Sequence, residues 1–309
     1  MRTSRSTRGK RSVREAAVPV RAPYRLDLTA VVLRRLSTNV VDTFDGAAYR
    51  RLVGDPDAPT LFTAEQHAPD ALTVRLDGPG AERFDPETLA RRLLGTDVDL
   101  RAFYAGAQTI PWLHALATGA RGVKPPRYPS LWETACNAIV YQQISIHAAG
   151  AILRRVIERY ARPVEREGVR LFPFPSAETL LGAAPADLRA LGLSVHKINA
   201  LFAAGDAIAS NALDEAALDL LPTPDLLAGL VAHKGIGPWT AAVIALRGFG
   251  RLDVFPMKDS GATALLRKLS NDDAIEAEPI LAALSPQQGM LYYHLLLGRL
   301  SATGEVTLA

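Results

Sequence analysis

Cysteine is nearly missing from this chain. One residue in 309, Cys136, rules out an internal disulfide framework, a four-thiolate iron-sulfur cluster and any cysteine-rich zinc site. The six histidines (His67, His114, His147, His196, His233, His294) show no i, i+4 pair, so no metal ligand set is expected among them. Long apolar runs are also lacking: the longest, around Ala241 to Leu246, is far below the roughly 18 residues of a membrane helix. A soluble, cytoplasmic protein is the expectation. Aromatics make up only 6% of the chain, so no site in it can be rich in rings.

What is present is a core and a segregated charge. With 48% apolar residues, burial is no difficulty, and the length suggests two domains. The net charge of +3 conceals an uneven distribution. Residues 1–21 hold seven Lys/Arg against Glu15, which leaves the remainder acidic apart from two basic stretches, 121–170 and 231–270. Such segregation suits a polyanion-binding face, though solvated surface arginines read the same way. The tail carries no apolar core or cleavage pattern of a secretory signal, and residues 1–21 are expected to be disordered.

Alternation of Tyr24, Leu26, Leu28, Ala30 and Val32 with intervening residues predicts a strand, as does that of Leu72, Val74 and Leu76. Asp85-Pro86 caps a helix carrying Leu89, Leu93 and Leu94, and Gly95 stops it. An α+β domain is therefore assigned to residues 22–120: an antiparallel β-sheet with one packed helix. From 121 to 309 the period is 3.6, so an all-helical domain is expected. Ser130 with Glu133 forms a capping box, and Ser145 caps Ile146 to Tyr160.

The most specific stretch runs from Leu230 to Ala242. One helix ends, Gly235-Ile236-Gly237 turns tightly, and Pro238 opens the next helix. Both glycines are expected at positive φ, with free N–H groups facing outward as a phosphate-sized anion site that is blind to base sequence. About twenty residues on, Asp253 to Asp259 precedes another helix.

Hairpin, Gly/Pro loop and aspartate together resemble the signature of the HhH-GPD DNA glycosylase superfamily. Ser130 to Ala149, with Tyr141-Gln142-Gln143-Ile144-Ser145, is similar to its first helix and DNA-inserting loop. The whole from about residue 22 resembles the 3-methyladenine DNA glycosylase II branch. The resemblance implies a helix-hairpin-helix glycosylase domain over 121–309 and base excision from double-stranded DNA by a monomer. A hairpin-bearing DNA binder without catalysis is the alternative.

Carried over residue by residue, the resemblance makes Asp259 catalytic and puts Gln142, Gln143, Lys234, Gly235, Ile236, Gly237 and Thr240 against DNA, with Gln143 filling the gap left by a flipped base. The same Asp259 stands where a helix N-cap belongs. Relatives that also cut the strand carry a lysine where this chain has Trp239, so a monofunctional hydrolase is implied. Trp239, Val243 and Leu296 fall at the base pocket, the last two where aromatics stand in the best-known type. Such a pocket should release labile cationic bases well and neutral ones such as hypoxanthine poorly. No cofactor is implied beyond a monovalent cation that the hairpin carbonyls can hold.

Overall fold

Alternating residues build the first layer. In the computed structural model, which describes residues 11–308, there are five antiparallel strands: β1 (Arg11–Pro19), β2 (Thr43–Phe44), β3 (Ala48–Val53), β4 (Thr60–Ala68) and β5 (Ala71–Pro79). Their spatial order is β1-β5-β4-β3-β2. Leu72, Val74 and Leu76 are all buried, as their alternation requires, and Val74 faces Ala64 on one neighbour and Ala16 on the other. Helix α2 (Pro86–Leu94) starts on Asp85, whose carboxylate accepts from the Thr88 N–H, and lays Ala90, Leu93 and Leu94 on the sheet. Each such leucine contributes about 1.5–3 kcal/mol by leaving water.

Two expectations fail here. The alternating stretch from Tyr24 is a helix, α1 (Leu26–Arg34). It is apolar on two sides: Leu26, Ala30 and Leu33 face the sheet core, while Leu28, Val31 and Val32 enter a helical core. A helix buried on opposite faces loses its polar stripe, and the residues that remain imitate period two. The basic tail is likewise not wholly disordered, since Arg11–Pro19 is the edge strand β1, whose Val18 is buried. Charge-bearing edges are a common protection against further pairing. Residues 1–10 lie outside the described residues.

The remainder is helical, with one exception. Beyond α3 (Arg101–Ala107) and α4 (Pro111–Gly119) come α5 (Leu131–Val140) and α6 (Ile146–Tyr160). Then β6 (Val164–Arg166) and β7 (Val169–Leu171) form a small hairpin, not helix, because Glu167 and Gly168 both take the positive φ that a tight two-residue turn needs. There follow α7 (Ala177–Leu181), α8 (Pro185–Ala190), α9 (Val195–Ala209), α10 (Glu215–Asp219), α11 (Thr223–Val231), α12 (Pro238–Arg247), α13 (Ser260–Ser270), α14 (Ala277–Ala283) and α15 (Met290–Ala302). No helix among the described residues is long and apolar enough to cross a membrane.

These helices share two cores. One collects α5, α7, α8, α9, α11 and α12; the other joins α1, α3 and α4 to α13, α14 and α15. The core is therefore not divided at residue 120, because Phe103 and Leu113 pack with Leu291 and Tyr293. Sheet and helices are also tied by a buried charge network. Arg51 of β3 donates to Asp42 at 2.9 Å and to both oxygens of Glu133 of α5 at 2.8 and 3.0 Å. The capping box is accordingly half formed: Ser130 accepts from the Glu133 N–H, while the Glu133 carboxylate turns to Arg51.

Candidate active site

Six chain segments far apart in sequence meet at a cleft of about 1140 Å³ between the two helical cores. They are Arg35 just after α1, the loop after α5, the start of α9, the turn before α12, the start of α13 and one face of α15.

The turn before α12 is held by its own residues. Gly235 has φ +88°, and a Cβ there would sit 2.4 Å from the Cβ of Ala200 in α9, so both backbone and packing demand glycine. Ile236 is buried and pins the turn to the core, whereas Lys234, Gly237 and Pro238 are exposed. Gly237 departs from expectation: its φ is −84°, and a Cβ would meet nothing within 4 Å. Its openness, not its backbone, is what it offers. No side chain caps α12, which leaves the N–H groups of Trp239 and Thr240 in the first turn for an external acceptor.

Asp259 lies at the start of α13, half-buried on the cleft wall. Oδ1 accepts from the Ala262 N–H at 2.8 Å, and Oδ2 accepts from the Trp239 Nε1–H at 3.0 Å. Helix cap and cleft carboxylate are thus one residue. Bonds to both oxygens fix its orientation, and the helix N-terminus favours its charge. Lys258 before it is exposed, with φ 62°.

The loop after α5 ends in Gln143, exposed and held at φ 55°, with Ile144 beside it 38% exposed. Gln142 is committed inward: Nε2 donates to Thr240 Oγ1 at 2.7 Å and to the Gly235 carbonyl at 3.4 Å. Its side chain braces the loop against the turn, and Thr240 is only 2% exposed, so neither side chain presents itself outward as the sequence suggested. Lys197 closes the end of α5 by donating from Nζ to the Val140 carbonyl at 2.6 Å; burial holds its pKa below the ordinary lysine value.

The pocket differs from the sequence expectation. Trp239 and Leu296 line the cleft, but Val243 is 2% exposed in the core between α5 and α12. One turn further along a helix whose first turn faces the cleft, its side chain points inward. Tyr141 and Tyr292 supply rings in its stead, while Tyr293 is core. Sequence reasoning also passed over Arg35 and Arg299, both on the cleft. Arg35 is 4% exposed, with its guanidinium 4.0 Å above the Tyr141 ring, a contact worth up to about 2 kcal/mol when desolvated. It occupies φ 59°, ψ −68°, and Leu36 N–H donates across it to the Arg34 carbonyl at 2.7 Å. That is a γ-turn of the rare hand, a conformation costing on the order of 1–3 kcal/mol for a non-glycine residue. No signal in the sequence marks it. Around the cleft, Arg35, Lys197, Lys258 and Arg299 face a single carboxylate, Asp259.

Comparison with known proteins agrees with this geometry. Residues 136–286 match the family described as HhH-GPD superfamily base excision DNA repair protein. Over 255 residues the chain is 32% identical to a Mycobacterium tuberculosis protein named probable bifunctional transcriptional activator/DNA repair enzyme AlkA, covering 82% of this chain and 50% of that relative. It is 28% identical to DNA-3-methyladenine glycosylase of Bacillus subtilis over 57% of this chain and 58% of the relative. The chain thus spans about half the length of the curated relatives it matches. The fold superposes on 3-methyladenine DNA-glycosylase from Archaeoglobus fulgidus with a TM-score of 0.75 and 22% identity, over 92% of this chain and 98% of the other. Residues 136–286 belong to the HhH-GPD superfamily of base excision DNA repair proteins, and the chain as a whole is similar to proteins named for 3-methyladenine DNA glycosylase or AlkA.

Proposed function

We propose that the protein is a monofunctional DNA glycosylase, acting as a monomer on double-stranded DNA and releasing a damaged base, an alkylated purine first of all, by hydrolysis. The observation that carries this reading is the Asp259 carboxylate, oriented by Trp239 Nε1 and the α13 N-terminus, in a cleft whose other charged lining side chains, Arg35, Lys197, Lys258 and Arg299, are cations.

The backbone at Gly235 to Thr240 takes a phosphate without reading bases, and Gln143 with Ile144 enters the stack where a nucleotide has rotated out. The flipped base lies against Trp239. As the C1′–N bond breaks, its electron pair leaves with the base and positive charge grows on the sugar. Asp259 stabilises that charge and orients the attacking water, whose proton passes to solvent or to the departing base. A purine alkylated at N3 or N7 is already cationic and leaves neutral without needing that proton. Trp239 has no amine to form an imine, and the buried lysine lining the cleft, Lys197, has its Nζ bound to the Val140 carbonyl. A monovalent cation at the turn would be held by backbone carbonyl oxygens, with those of Lys234 and Ile236 accepting no hydrogen bond from the described residues, and would add positive charge beside a DNA phosphate.

The test is a methylated duplex incubated with the protein, with and without borohydride. Free methylated purine should appear, the strand should break only after alkali, and no covalent adduct should be trapped. Absence of released base, with binding intact, would reduce the protein to a DNA-binding module; a trapped adduct would overturn the hydrolytic reading.

A further inference from the structure

The chemistry above leaves Arg35 without a task, although it is the most unusual side chain on the cleft. Its Nε and Nη1 are buried with no hydrogen-bond partner. Arg51, equally buried, is neutralised by Asp42 and Glu133. Arg247, also buried, lies over Tyr128 and Tyr293 and reaches the Val32 carbonyl, away from the cleft. Arg35 alone of the three lines the cleft, with its guanidinium over the Tyr141 ring, Tyr128 and Tyr292 nearby, no carboxylate among the described residues paired with it, and a strained backbone presenting it there. A guanidinium does not deprotonate, so its orphan N–H groups remain charged donors that call for an acceptor.

We propose that Arg35 is a specificity-determining residue of the base pocket, donating to the acceptor edge, carbonyl oxygen or unsubstituted ring nitrogen, of a flipped neutral base. This rests on the glycosylase reading and refines its substrate class. A neutral purine leaves with the C1′–N9 electron pair as an anion, which then takes the proton released by the attacking water. Arg35 stabilises that developing negative charge. A cationic alkylated purine develops none and is repelled by the same guanidinium. The aromatic-poor site is therefore better suited to neutral lesions such as hypoxanthine, which presents O6 and N7, than its composition alone suggests.

The experiment compares single-turnover release from two duplexes, one with a single deoxyinosine and one methylated to carry 7-methylguanine and 3-methyladenine. Arg35→Met should lower hypoxanthine release about 100-fold, the loss typical of one preorganised charge-stabilising donor, and leave methylpurine release within about threefold or raise it. Arg35→Lys should restore part of the hypoxanthine rate. Melting curves confirm folding, and Arg35→Gln substitutes if Arg35→Met does not fold. Equal losses on both duplexes, no loss on either, or a wild-type protein that releases methylpurines but no hypoxanthine would each overturn the role of Arg35. A wild-type protein that releases neither base overturns the glycosylase reading itself.

Discussion

Of the helices that begin at the cleft, α12 and α13 begin differently. α12 starts without a side-chain cap, behind an exposed Gly237, so its first N–H groups stay available. α13 starts on Asp259, which satisfies its own helix with one oxygen and is held by Trp239 through the other. An open helix start takes an anion, and a capped one holds an anion already. The same local element therefore serves grip in one place and chemistry in the other, and the residue at the N-cap decides which.

Substitutions at the two starts should separate these roles. Asp259→Asn keeps the cap bond to the Ala262 N–H and removes both the charge and the acceptor for Trp239 Nε1, so base release should fall by at least about 100-fold while the melting temperature moves little. Gly235→Ala must force its Cβ into Ala200 at an unfavourable φ, so binding to damaged and undamaged duplexes should weaken alike, by about tenfold, and thermal stability should drop by roughly 1–3 kcal/mol. Trp239→Phe removes the hydrogen bond to Asp259 and keeps a ring; the rate should fall about tenfold with affinity nearly unchanged, reflecting roughly 1.5 kcal/mol for a bond to a charged group. Gln143→Ala should slow a stably paired lesion a few-fold more than the same lesion opposite a mismatch, as flipping costs more in the former. Gly237→Ala, with nothing within 4 Å of its Cβ, should leave the melting temperature unaltered, so any loss it causes in a salt-dependent binding titration belongs to DNA contact alone.

The two starts were also unequally legible in the sequence. Gly235 and Asp259 could be found because local chemistry dictates them: a positive φ and an N-cap. Ile236, expected against DNA, has its side chain buried under the turn instead. The sheet followed where one face was buried, as at Leu72 to Leu76. What escaped depends on distant neighbours. α1 looked like a strand because packing on two sides removed its polar face, and β1 looked like tail because its pairing partner is β5, some sixty residues on. Gln142 and Thr240 are 98 residues apart, and nothing near either announces their bond. Val243 is put in the pocket by the family resemblance, and only the packing of α12 against α5 shows it turned inward. Arg35 was unreadable for the same reason: an unpaired arginine is recognised only when everything around it is known.

The separation of grip from chemistry is tested most directly by measuring, on one methylated duplex, the dissociation constant and the single-turnover rate of base release for Asp259→Asn and Gly235→Ala side by side. The account predicts that Asp259→Asn loses rate and keeps affinity, while folded Gly235→Ala loses affinity and, at saturating protein, keeps rate. Rate and affinity falling together in both variants, or an Asp259→Asn protein as active as wild type, would contradict it.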